Sequence, residues 1–301
     1  MRTLRTPDER FDRLPDFGFA PRYADVPDGD GGTLRMGYVD EGSGPVVLLL
    51  HGEPSWSFLY RRVIPILTDA GLRAVAPDLV GFGRSDKPTE ISDHSYARHV
   101  GWVRDLVFGA LDLRDACVVG QDWGGLIGLR LVAEHPDRFA SVVAANTGLP
   151  TGDAEMPAVW YRFRDSVAKS AVLDVSRYVQ SGCTTTLAPE VLGGYDAPFP
   201  DESFKAGPRA MPGLMPIRSN DPASDSNRAA WRVLREWHKP FLVAFSDRDP
   251  ITGPMASAFA RLVPGASGVT HPVIEGAGHF LQEDAPDRLA HEIVAFLRAI
   301  D

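Results

Sequence analysis

Short apolar runs separated by longer amphipathic stretches set the pattern of this chain. Val46–Leu50, Arg73–Pro77, Ala116–Val119 and Ala140–Ala145 are aliphatic or β-branched almost throughout and end at turn residues. Such runs read as strands covered on both faces, the environment of a parallel sheet. Leu34, Met36 and Tyr38 alternate with Arg35, Gly37 and Val39 and predict an antiparallel edge strand. Phe241–Phe245 and Val269–Ile274 add two late strands. Helical spacing covers Phe58–Ala70, His94–Leu111 and Gly125–His135, and a last helix spans Pro286–Ile300 with Leu289, Ile293, Phe296 and Leu297 on one face. This alternation predicts an α/β fold: a mostly parallel central sheet with helices on both faces.

One segment breaks the rhythm. From about Pro150 to Arg228 there are many prolines, no clean buried strand and a run of aromatics: Trp160, Tyr161, Phe163, Tyr178, Tyr195, Phe199 and Phe204. So many aromatics argue against a disordered linker. An insertion after the Ala140–Ala145 strand leaves the sheet undisturbed and roofs its carboxyl ends. The expected division is a core of residues 1–149 and 229–301 with a helical cap of residues 150–228.

Composition narrows the function classes. Hydrophobic residues at 44% and charged residues at 24% are ordinary for a globular chain, and a net charge of −9 excludes nucleic acid or an anionic membrane as expected partners. No apolar segment approaches the roughly 18 residues needed to span a bilayer. The amino terminus lacks the apolar region of a signal peptide, so a cytoplasmic monomer is expected. Cys117 and Cys183 make neither a disulfide framework nor a metal cluster.

The chemistry gathers at Gly120-Gln121-Asp122-Trp123-Gly124, directly after a predicted strand. This is the glycine spacing of a nucleophile elbow, with Asp where serine is usual. A carboxylate with an ordinary pKa of about 3.9 is ionised at neutral pH and needs no base to become a nucleophile. Attack on an ester carbonyl would give a reversible anhydride, whereas attack on a saturated carbon gives a stable alkyl ester. The elbow therefore points to displacement at carbon.

Gly276-Ala277-Gly278-His279-Phe280 follows the last predicted strand, and Ser246-Asp247-Arg248-Asp249-Pro250 follows the one before. The order Asp122, acid, His279 is that of α/β-hydrolases. Asp249, fixed by the Pro250-Ile251-Thr252-Gly253 turn, is preferred to Asp247, which reads as a surface charge. Of the other histidines, only His51 has any claim on function. His51-Gly52-Glu53-Pro54 follows the Val46–Leu50 strand, and the Glu53 and Trp123 backbone N–H groups would form an oxyanion hole. The Glu53 side chain either orients water or merely ends a strand.

The leaving group decides the enzyme. An alkoxide from an epoxide needs a proton, which cap tyrosines such as Tyr161, Tyr178 or Tyr195 would supply. A halide needs only donors in an apolar pocket, and an indole N–H is donor-only. Trp123 lies beside the nucleophile; the second indole comes from Trp160, Trp231 or Trp237.

At this point the chain resembles the haloalkane dehalogenases of the α/β-hydrolase superfamily, in the subfamily with two halide-binding tryptophans. The resemblance rests on His51–Pro54 with Trp56, Asp78–Ser85, Gln121–Gly125, Ala197–Pro200, Asp249–Thr252 and Gly276–Phe280. It implies Asp122 as nucleophile, His279 as base, Asp249 as its acid, Trp123 and Trp160 as halide ligands, and Glu53 as marker of the oxyanion loop. It implies no metal or organic cofactor. The substrate would be a small apolar halogenated molecule, with halide as product. Epoxide hydrolases resemble the same elbow but usually carry an aromatic at the Glu53 position. Fluoroacetate dehalogenases typically carry arginine where Trp123 stands.

Overall fold

Aliphatic runs that no helix can bury on one face alone end up as the central sheet. The computed structural model describes residues 1–300. Seven strands form the main sheet: β1 (Arg22–Pro27), β2 (Thr33–Gly42), β3 (Val46–Leu50), β4 (Arg73–Pro77), β5 (Ala116–Gln121), β6 (Phe139–Ala145) and β7 (Phe241–Val243), in the order β1-β2-β4-β3-β5-β6-β7. β2 runs antiparallel to both β1 and β4; the remaining pairs are parallel. Every residue of β5 is buried, as the apolar run Ala116–Val119 predicts, and the polar Gln121 at its end is buried with them.

Past Ala244 the seventh strand continues as β8 (Phe245–Ser246), which pairs in parallel with β9 (Val273–Ile274). The expected strand over Val269–Ile274 is therefore only two residues long. Pro272 just before it has no N–H to give a ladder.

Helices α1 (Val63–Asp69), α2 (Tyr96–Arg104) and α3 (Trp123–Glu134) connect the first strands, and α9 (Met255–Leu262), α10 (Leu281–Asp284) and α11 (Pro286–Ile300) follow the late ones. The expected helix over Phe58–Ala70 divides into a 3₁₀ turn at Ser57–Tyr60 and α1. Pro65 explains the late start, because proline is tolerated only in a helix's first turn. The one expected over His94–Leu111 is α2 followed by a wide π-type turn at Asp105–Ala110.

Between β6 and β7 the chain leaves the sheet for α4 (Ala158–Lys169), α5 (Val175–Gly182), α6 (Pro189–Asp196), α7 (Ala206–Leu214) and α8 (Ser224–Leu234). The division expected at residue 228 falls inside α8. That helix lies on the sheet side: Asn227 receives a hydrogen bond from Arg130 of α3 at 3.3 Å and donates to Pro150 O at 2.7 Å. The inserted helices are tied down by Trp56 Nε1 donating to Gly194 O at 3.0 Å and Thr6 Oγ1 to Pro198 O at 2.6 Å.

Candidate active site

β5 ends at Gln121 and α3 begins at Trp123, so Asp122 alone carries the turn, with φ 51° and ψ −127°. A side chain at positive φ costs roughly 1–3 kcal/mol and persists only where its surroundings hold it. Here the Asp122 N–H donates to Asn146 O at 3.0 Å. Its carbonyl accepts from the N–H groups of Gly125 and Leu126 at 3.0 and 3.1 Å and from the Thr147 hydroxyl at 2.8 Å. The flanking glycines are a packing requirement. A methyl on Gly124 would sit 2.1 Å from Leu50 O, and one on Gly125 would sit 2.0 Å from Thr147 Oγ1.

The Asp122 carboxylate is thereby raised at the carboxyl end of the sheet. Glu53 N–H donates to its Oδ1 at 2.8 Å. A methyl on Gly52 would lie 2.3 Å from that oxygen, so the loop after β3 needs glycine to come this close. On the other side, His279 Nε2 lies 3.4 Å from Asp122 Oδ2, and its Nδ1 lies 3.0 Å from Asp249 Oδ2. Asp249 also accepts from Ile251 N–H at 2.9 Å and from the Thr252 hydroxyl. Asp247 is exposed and holds Gly276 N–H at 2.7 Å, away from the histidine.

Burial alone would lower the His279 pKa, but the Asp249 charge and hydrogen bonds to both carboxylates push it up to about 10. Burial would raise the Asp249 carboxyl, yet the His279 charge and its hydrogen bonds hold it at about 2. The two flanking carboxylates favour the protonated ring. Glu53 differs: burial first, and then the Asp122 charge, hold its carboxyl well above the usual carboxylate range. The Glu53 carboxyl, which makes no side-chain hydrogen bond to a described residue, thus holds a proton more readily than an ordinary carboxyl beside Asp122. His51 is structural, since its Nε2 accepts from Leu79 N–H at 2.9 Å and its Nδ1 lies 2.9 Å from Gly52 O.

A cavity of about 280 Å³ opens onto these groups, lined by Glu53, Asp122, Trp123, Trp160, Phe163 and His279 among others. Trp123 and Trp160 are both buried, and neither indole N–H meets an acceptor among the described residues. Trp231 donates its N–H to Leu149 O at 2.7 Å, and Trp237 Nε1 is sealed away from the cavity. Of the three indoles open as the second halide ligand, Trp160 lines this cavity; Trp231 lines a neighbouring space of about 600 Å³ that also reaches Asp122, but its N–H is spent on Leu149 O.

Residues 45–286 match the family described as alpha/beta hydrolase fold. A haloalkane dehalogenase of Psychrobacter cryohalolentis is 50% identical over 299 residues, covering 99% of this chain and 98% of that protein. One from Mycolicibacterium paratuberculosis is 49% identical over all of both chains. The chain belongs to the haloalkane dehalogenases. Haloalkane dehalogenase DpaA of Paraglaciecola agarilytica superposes with a TM-score of 0.89 at 35% identity, covering 97% of each chain. DpaA is tetrameric, which gives no support to the monomer expected from sequence. No described helix of this dehalogenase family member is long and apolar enough to cross a membrane.

The tyrosines weighed as proton donors are engaged elsewhere or lie off the cavity. Tyr195 donates to Glu283, itself held by Arg61 at 2.5 Å. Tyr178 lines the cavity, but its hydroxyl bonds Ser166 Oγ at 2.7 Å. Tyr161 does not line it.

Two functional neighbours escaped the sequence reading. Gln121 donates to His279 O at 3.2 Å and places the same nitrogen 3.1 Å from His279 Nε2. An amide N–H there favours the neutral ring, as the Asp122 carboxylate favours the charged one. Asn146 Nδ2 donates to Gly278 O at 2.9 Å and His279 O at 3.1 Å, fixing the histidine loop. Gln121 stands in the elbow motif itself, the only signal that marked it.

Proposed function

We propose that this dehalogenase hydrolyses small haloalkanes to alcohol, halide and a proton through an alkyl ester on Asp122. Asp122 attacks the halogen-bearing carbon in line with the leaving group. Trp123 and Trp160 donate their indole N–H groups to the halide as its charge develops. Esterification discharges Asp122, one of the two carboxylates favouring the charged ring, so His279 gives its proton up to solvent more readily and the neutral ring is then available as base. His279, oriented by Asp249, then takes a proton from water, and the hydroxide attacks the ester carbonyl carbon. The N–H groups of Glu53 and Trp123 hold the oxyanion. The observation that carries this reading is the pair of unengaged indole N–H groups in the cavity that the nucleophilic carboxylate also lines. The upward push that burial gives the Glu53 carboxyl suits the site, because a second carboxylate charge would repel the departing anion.

Residues 150–228 act in this reading as a cap that excludes water and carries Trp160, with α8 anchoring it to the core. The engaged tyrosines disfavour epoxide opening. The test is bromide release from 1-bromobutane and 1,2-dibromoethane, run beside diol formation from styrene oxide, with Asp122→Ala as control. Bromide that vanishes in the variant, with no diol, is the expected result. Diol without bromide would overturn it.

A further inference from the structure

Two spaces converge on the nucleophile. The cavity of about 280 Å³ is walled by α4, α5 and the loop that carries His279. The space of about 600 Å³ is walled by the segment after β6, by Trp231 of α8 and by Met255 at the start of α9. Asp122, Trp160, Met215 and Ile251 line both. The Asp122 side chain keeps 16% of its surface accessible, so its neighbours do not seal the carboxylate. A carbon held against Asp122 therefore meets both spaces, and nothing has to pass through a wall between them.

The larger space suits hydrocarbon. Leu149, Met156, Met215, Ile251 and Met255 line it, and among the described residues the exposed Glu155 is its only charged side chain besides Asp122. Trp231 is fixed by its hydrogen bond to Leu149 O and by stacking on Phe259 at 5.3 Å, which makes it a rigid apolar wall. The three methionines are unbranched and adapt to chains of different length. A primary bromide such as 1-bromobutane has a single arm, so it occupies one space and leaves the other without hydrocarbon.

We propose that the preferred substrates are secondary haloalkanes with an alkyl arm on each side of the reacting carbon, one arm in each space. The proposal rests on the dehalogenation reading above and names the substrate class of that site. In the displacement an Asp122 oxygen bonds to the carbon as the carbon–halogen bond breaks, and the halide takes the bonding pair toward the indoles. The other substituents lie across that axis, and in a secondary halide two of them are carbon chains that point apart. Each arm taken into its space is apolar surface removed from water. Two held arms also fix the direction of attack, which one arm does less well.

Bromide release from 1-bromobutane, 2-bromopropane and 4-bromoheptane tests this in wild type, Ala154→Trp and Met255→Trp. Ala154 is exposed and Met255 half-buried; they reach the larger space from different elements, and neither lines the smaller one. One methylene in an apolar pocket is worth about 10- to 200-fold in kcat/KM, so wild type should prefer 4-bromoheptane to 2-bromopropane about tenfold or more. Each variant should cut that preference about tenfold and leave 1-bromobutane, whose arm the smaller space holds, within about twofold. No preference in wild type, or one unchanged in both folded variants, would overturn the proposal. So would an equal fall with all three bromides, which would make the larger space a common entry. Wild type that releases bromide from 1-bromobutane and none from 4-bromoheptane would defeat the two-armed substrate alone. Release from none of the three would defeat the dehalogenation reading, and this proposal with it.

Discussion

The two carboxylates beside His279 favour its proton, and in the proposed cycle alkylation of Asp122 removes one of those charges. His279→Phe should therefore leave alkylation intact and stop the cycle there, with the alkyl group retained on Asp122. Intact-protein mass spectrometry after exposure to 1-bromobutane checks this, and an unmodified variant would contradict it. The same proton sets a pH signature. A folded pKa of about 10 against an ordinary 6.5 means that this group's stabilisation is whole below pH 6.5 and lost as pH climbs to 10. Asp249, lowered from 3.8 to about 2, is stabilising above pH 3.8 and loses that contribution as pH falls through 2. The Tm advantage of wild type over His279→Phe should shrink between pH 6.5 and 10. Asp122, Asp249 and His279 were legible in sequence because each sits in its own turn motif after a strand. Gln121 and Asn146 were not, because their partners lie 158 and 133 residues away and only the folded sheet brings them together.

At the scale of elements, the turn from β5 into α3 concentrates strain in one residue and close packing in its glycines. Gly124→Ala would drive a methyl onto Leu50 O, and overpacking of this kind typically costs about 1–3 kcal/mol. Urea denaturation should show a lower midpoint at unchanged slope. The buried strands were readable because an aliphatic run such as Val46–Leu50 has no polar face to offer water. The late strand was overread: Val269 and Pro272 extend its apolar look, but only Val273 and Ile274 find a pairing edge at Phe245 and Ser246. Helix ends were blurred for a related reason, since the pattern around Pro65 marks an apolar face and leaves open where the hydrogen-bonded turns begin.

The molecule as a whole holds the inserted helices to the sheet through buried polar links. Tyr195 of α6 and Arg61 meet at Glu283 of α10, all three buried. Glu283→Leu would leave the Arg61 charge unpaired in the interior, a loss of about 3–5 kcal/mol. Tyr195→Phe leaves that ion pair intact and should cost about 1 kcal/mol. Calorimetry on the two variants separates them; equal losses would show that the arginine is not stranded. A last consequence follows from the single hydrogen bond between Glu53 N–H and Asp122 Oδ1, which makes the two carboxylate oxygens inequivalent: one anchored, one turned toward His279. Over a full cycle of the proposed mechanism the polypeptide becomes the oxygen donor. In heavy-oxygen water the first alcohol released carries ordinary oxygen taken from Asp122, and the isotope surfaces in product only from the second turnover. A chiral secondary bromide emerges as the alcohol of opposite handedness, because its carbon is attacked once and never again.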